Sequence, residues 1–177
     1  VDLEYFAITE ACNYIIGNPD NLRNNNNNYM IYIRRTDGKA IIIPIDNDRC
    51  FGITKDYNPD GNAMMNRDIF TTKAANGKTS NLLYTKTILA STPNKYKAIY
   101  LNYIKALKNS DWMNPNKFDS LYQIAYETYG NESTITNINS VETKPVSFSN
   151  IKENDDVNET FMTYVSNKTT KIDLNYV

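Results

Sequence analysis

The chain has 177 residues, 41% of them hydrophobic, and a formal net charge of −1. That length supports one domain with a real core, since such a chain buries roughly 70% of its unfolded surface, and the near-neutral balance lacks the basic footprint of a nucleic-acid or anionic-membrane binder. No apolar run approaches the roughly 18 residues of a membrane span, no signal peptide is visible, and the absence of histidine puts any acid–base role on a carboxylate, Lys, Tyr or Cys and excludes histidine-built zinc sites.

Leu3, Phe6, Ala7, Ala11, Tyr14 and Ile15 recur at three- and four-residue spacing. They predict an amphipathic core helix over 2–16, stopped by Gly17. A polar loop carrying Asp20, Arg23 and the run Asn24 to Asn28 follows. Residues 29–34 alternate as a strand, Thr36-Asp37-Gly38-Lys39 makes a hairpin turn, and 40–45 form a second strand, read as buried because of Ile41-Ile42-Ile43.

That second strand runs into Asp46 and Asp48. Residues two apart on a strand point the same way. If the extended geometry holds to Asp48, both carboxylates face one point, where a hard divalent ion such as Mg2+ relieves their repulsion. The other reading is a strand end whose acids are solvated in a turn. Asp20 and Asn25 stand in the relation Asp-x-x-x-x-Asn, the one in which a protein-kinase catalytic loop places its proton-accepting Asp and a metal-binding Asn. A strand pair, then Asp46, then Phe51-Gly52 follow in the kinase order.

Residues 53–80 read as a long polar loop with exposed hydroxyls at Thr71, Thr72 and Ser80. Asn81 caps a helix through Leu82, Leu83, Thr87, Ile88 and Leu89. Thr92-Pro93 reads as the start of the next helix, whose Tyr96, Ile99, Tyr100, Tyr103, Ile104 and Leu107 form a core stripe. Asn114-Pro115 starts another, carrying Phe118, Leu121, Tyr122, Ala125 and Tyr126 to Gly130, with Trp112 between the two as a packing anchor. Residues 130–156 form a polar excursion, and a last helix spans about 157–174. Cys12 and Cys50 have no CxxC spacing and read as reduced, half-buried thiols, with a disulfide between the first helix and the Asp strand as the other reading. The predicted class is α+β, predominantly α, with one β-hairpin, in a single domain over 1–177.

Gly-Asn-x-Asp-Asn, an Asn-rich run into Tyr-x-x-Tyr, Asp-Gly-Lys, and Ile-Pro-x-Asp-x-Asp-x-x-x-Gly together resemble the CotH kinase family, the spore-coat-type atypical protein kinases. The matching positions run from about Leu3 to Gly52, and Asn81-Leu82-Leu83 with the following helices is similar. The resemblance implies the C-terminal lobe of a protein-kinase-like fold and phosphoryl transfer from ATP to a Ser or Thr hydroxyl of a protein substrate. By it, Asp20 orients the hydroxyl and accepts its proton, and Arg23 pairs a phosphate or braces Asp20. Asn25, with Asn28 as the next candidate, holds a metal; Asp46 bridges Mg2+ or Mn2+ to the phosphates, and Asp48 is the second acidic ligand. The family places such proteins at the spore coat, at the cell surface or among the secreted proteins of bacteria. It also carries an N-terminal lobe with a nucleotide-binding lysine, whereas this sequence opens just before the catalytic loop. The alternative is therefore an inactive metal-binding or protein-interaction module of the same fold. A glycosidase built on an Asp pair fits less well, because Asp46 and Asp48 share one strand instead of flanking a cleft.

Overall fold

The computed structural model describes residues 1–47, 50–51, 68–71, 80–90, 94–114, 117, 120–121, 124, 127, 164 and 168–172. Among these the fold is mixed α+β and mainly helical, with one two-stranded antiparallel sheet. The expected loop over 53–80 is described only at 68–71 and 80, and the expected excursion at 130–156 lies outside the described residues.

Helix α1 (Leu3–Ile16) is the central element. Asp2 caps its N-terminus by accepting from the Tyr5 backbone N–H at 3.2 Å. Gly17 ends it at φ 67°, donating its N–H to the Asn13 carbonyl, a left-handed position that glycine occupies without a Cβ penalty. The predicted apolar stripe is present, with Phe6, Ala7, Ala11, Tyr14 and Ile15 buried. Thr9, Glu10 and Asn13 are buried as well, so α1 is enclosed over more of its circumference than an amphipathic surface helix.

A short helix α2 (Leu22–Asn25) leads into strands β1 (Tyr29–Ile33) and β2 (Ala40–Pro44), paired with Ile31 opposite Ile42. The turn between the strands uses Gly38 at φ 69°. Arg34 ties the hairpin down by pairing with Asp37 and, at 2.8 Å, with Asp2. The buried-strand expectation fails here. Only Ile42 of β2 is fully buried, and Met30, Ile31, Tyr32 and Ile33 of β1 are 50–60% exposed. A lone hairpin lays one strand against α1 and leaves its other strand as an open edge.

Helices α3 (Leu82–Thr87) and α4 (Lys95–Lys108) close the core. Asn81 caps α3 as expected, accepting from Leu83 N–H. The start of α4 differs from expectation: Asn94, not Thr92, is the N-cap and accepts from Lys97 N–H at 2.8 Å, while Thr92 and Pro93 lie outside the described residues. Both residues can cap, and the Asn sits two residues nearer the apolar stripe.

Tyr84, Tyr100 and Tyr164 are fully buried and stand where Leu or Phe usually would. Tyr100 packs edge-on to Tyr14 and Tyr84 with ring centroids 6.5 and 6.3 Å away, the geometry aromatic pairs prefer. The tyrosine stripe is only partly core, since Tyr103 is 42% exposed. Trp112, on a 3-10 turn (Asp111–Met113), is 61% exposed, and Met113 beside it is the buried anchor. Full burial of one Ile, Phe or Met contributes about 1.5–3 kcal/mol. Cys12 and Cys50 are free thiols, Cys50 fully buried. No described helix is long and apolar enough to cross a membrane.

Candidate functional site

The site grows from the end of α1. Past Gly17, Asn18 is fully buried and its Oδ1 accepts from the Asp20 N–H at 2.8 Å, a side-chain-made turn. Asn21 then caps α2, accepting from the Asn24 N–H at 2.9 Å. Asn24 Nδ2 returns to the Asn18 carbonyl at 2.8 Å. Asn26 closes α2 at φ 55°, and Asn28 follows at φ 52°. Asparagine tolerates this left-handed region far better than most side chains. The Asn-rich run is thus a folding instruction, with a different backbone or capping duty at each position.

Asp20 is 8% exposed. Asn25 Nδ2 donates to its Oδ1 at 2.6 Å, and Asn28 Nδ2 donates to its Oδ2 at 3.1 Å. Two amide donors on a carboxylate offset the loss of its hydration. The bonds also orient both amides, with their nitrogens toward Asp20. The structure therefore brings together Asp20, Asn25 and Asn28, three of the six residues singled out in the sequence.

Asp46 is exposed, and its φ of 55° ends the extended geometry. Strand β2 stops at Pro44, so the argument that residues two apart share a direction does not reach Asp48, which itself lies outside the described residues. Asp and Asn enter the left-handed region readily, so Asp46-Asn47 turns instead of extending the strand. One backbone and one side-chain hydrogen bond place Asp46 beside the Asp20 loop all the same. On one side of it the Ile45 N–H donates to the Asn28 carbonyl at 3.0 Å. On the other, Asn47 Oδ1 accepts from Asn18 Nδ2 at 2.8 Å. Among the described residues no three His, Cys, Asp or Glu side chains gather as a metal cluster. A cation here would have to combine the carboxylates with amide oxygens.

Arg23 departs from the sequence expectation. It is 4% exposed, with its hydrogen bonds going to the Tyr100 hydroxyl at 3.4 Å and the Thr71 carbonyl at 3.3 Å, and not to Asp20. Its guanidinium lies 3.8 Å above the Tyr84 ring centroid. Arginine's flat, weakly hydrated head suits such a stacked, buried place. The Tyr84 and Tyr100 hydroxyls both donate to the Ile69 carbonyl, at 2.8 and 3.1 Å. Arg23 and the two tyrosines thus hold the 69–71 segment against α2. Of the hydroxyls expected to be exposed, Ser80 is buried, Thr71 is half-buried and Thr72 is outside the described residues.

Three residues here escaped the sequence reading: Asn18, Asn47 and Glu10. Asn18 had a signal, an Asn after the helix-stopping Gly17 and two before Asp20. Glu10 had one too, since it falls four residues after Phe6 and four before Tyr14 on the core face. It is fully buried, bonded only loosely through Asn13 Nδ2 at 3.5 Å, with its Oε2 unpartnered. Burial pushes its carboxyl up to about 7, against the smaller downward pull of the Arg23 charge. A cavity of about 280 Å³ lies elsewhere, between α4 and Ile172 behind Ile69, and none of the residues around Asp20 lines it.

A family model described as CotH kinase protein matches residues 1–171. No curated protein and no solved structure matches the chain.

Proposed function

Because the chain belongs to the CotH kinase family, we propose that it is the helical, C-terminal lobe of a protein kinase that moves a phosphoryl group from ATP to a Ser or Thr hydroxyl of a protein substrate. The family is associated with the spore coat, and coat or cell-surface proteins of a bacterium are the substrates this reading assigns. The observation that carries it is the pair of amide bonds on Asp20, with the Asp46 turn tethered to the same loop on either side.

Phosphoryl transfer is mainly positioning and charge neutralisation. Asn25 and Asn28 hold both oxygens of Asp20, so the carboxylate is set before substrate arrives. It orients the attacking hydroxyl and takes its proton as the oxygen bonds to phosphorus and the ADP oxygen leaves. The donor chemistry fits Mg2+ or Mn2+: carboxylate and amide oxygens at Asp46, Asn25 and Asn28, and no histidine in the chain. Bound there, the ion neutralises phosphate charge. Asp48 is the further acidic ligand this reading assigns. Arg23 acts at one remove, positioning α2 and the 69–71 segment through Tyr100 and Thr71.

The test is transfer of labelled phosphate from ATP with Mn2+ to a Ser/Thr-rich substrate by the full-length protein, the family's nucleotide lobe included. Asp20→Asn keeps the shape and removes the base, and a loss of about 10²–10⁴-fold is expected. A variant as active as the original sinks the assignment.

A further inference from the structure

Asn18 touches both halves of the site. Its Oδ1 accepts from the Asp20 N–H and its Nδ2 donates to Asn47 Oδ1, each at 2.8 Å. Its own carbonyl accepts from Asn24 Nδ2 at 2.8 Å, and its N–H donates to the Asn13 carbonyl at 3.3 Å. Fully buried and bonded through all four of these groups, it cannot shift without dragging the Asp20 loop.

Two residues after β2 have left-handed backbones. Asp46 has φ 55° and Phe51 has φ 60°. Asp accommodates this conformation, but at Phe51, with a bulky side chain, it costs about 1–2 kcal/mol and persists only where the surroundings impose it. Two hydrogen bonds tether these positions to α1 and the loop after it. Asn18 fixes Asn47, and the Phe51 N–H donates to the Ile16 carbonyl at 2.7 Å. Both anchor points lie within the last turn of α1 and the loop after it.

We infer that Asn18 is a positioning residue that couples the two functional carboxylates, its amide locking the Asp46 turn in its left-handed form so that ion binding at the turn and the placement of Asp20 form one unit. This rests on the proposed ion-binding role of Asp46. It assigns Asn18 and Asn47 a duty separate from ligation: they pre-set the ligand, and the binding energy then need not supply that ordering.

The experiment is calorimetric titration of the protein with Mn2+ alone, paired with melting in the absence of metal. Asn47 is exposed, so Asn47→Ala removes the acceptor without opening the core. Its metal-free melting temperature should fall by several degrees, because the buried Asn18 Nδ2 loses its acceptor, and, titrated well below that melting temperature, the folded variant should bind Mn2+ about tenfold more weakly, roughly 1.4 kcal/mol. Asn47→Asp retains an acceptor for Asn18 Nδ2 and should recover most of the loss. The same Asp in an Asn18→Ala background has no donor to meet and should recover none. An Asn47→Ala protein that binds Mn2+ as tightly as the original overturns the inference and leaves the role of Asp46 standing. Recovery by Asn47→Asp without Asn18 overturns it as well, because the new carboxylate is then ligating directly. If the original protein binds no Mn2+, the ion-binding reading itself falls and the inference with it.

Discussion

Glu10 offers the cleanest physical test of the core around the site. Its carboxyl is raised from the ordinary 4.5 to about 7, chiefly by burial. At about 1.4 kcal/mol per pH unit, that gap corresponds to about 3 kcal/mol. The folded state then holds a proton that the unfolded chain has released between pH 4.5 and 7. Stability from this group is therefore complete below about pH 4.5, falls as pH rises through that window, and levels off above about 7. The chain has no histidine, so no imidazole titrates there. Asp37 is held down to about 2 by its hydrogen bond with Arg34, so its own contribution is lost only as pH falls from about 4 towards 2, outside the window. Glu10→Gln mimics the protonated carboxyl at nearly the same volume. Urea unfolding at pH 5, 6, 7 and 8 should show the original protein losing up to about 3 kcal/mol across the window, with the variant flat. At pH 8 the variant should melt higher by about 6–12 °C if the whole amount is recovered. The gain shrinks by whatever Arg23 loses when its buried counter-charge is neutralised. Identical pH slopes for the two proteins between 5 and 7 would refute the account of Glu10.

Gly17 and Gly38 both have positive φ, but a Cβ on Gly17 would lie 2.1 Å from the Tyr164 hydroxyl, whereas one on Gly38 meets nothing within 4 Å. Gly38→Ala should cost only the conformational penalty of about 1–2 kcal/mol, and Gly17→Ala about 2–5 kcal/mol with the overpacking added; equal losses in denaturant melts would show that Tyr164 does not press on Gly17. Mn2+ should raise the melting temperature by mass action, with Asp46→Asn losing most of the rise and Asp37→Asn, in the hairpin turn, keeping it on a lower baseline. A thermal shift of Asp46→Asn by Mn2+ equal to the original's would mark that carboxylate as a solvated strand end.

Local rules made much of the scaffold legible. The spacing of Phe6, Ala7, Ala11 and Tyr14, the stop at Gly17, the Gly38 turn and the Asn81 cap are one-dimensional signals, and the structure bears them out. The candidate site was legible as a set of residues but not as an arrangement. Asp46 was read either as continuing the strand or as ending it in a turn; its left-handed backbone is the turn, and the Asn18 that bonds the neighbouring Asn47 lies far away in sequence. Arg23 looked like a loop arginine because nothing nearby in sequence announces Tyr84, Tyr100 and Thr71, the partners that bury it. Ser80 and Trp112 failed in opposite directions for one reason. Burial is decided by which distant element arrives over a position, and residue type alone weighs little against that.

The exposed strand β1 has a consequence for the chain in isolation. Among the described residues no strand pairs with its outer edge, and Met30 to Ile33 place four exposed, largely apolar side chains along it. A strand of that kind is a template for intermolecular pairing, the route by which folded proteins aggregate edge to edge. Arg34 and Arg35 follow it directly, Arg34 with its charge paired to Asp2 and Asp37, and Lys39, also beside Asp37, lies across the turn. Cations at a strand end act as gatekeepers: stacking a second copy in register would set like charges against one another at close range. At a net charge of −1 the molecule has almost no global repulsion to keep copies apart. The cationic guard at this edge is therefore thin, resting most on Arg35, and salt, by screening it, favours self-association.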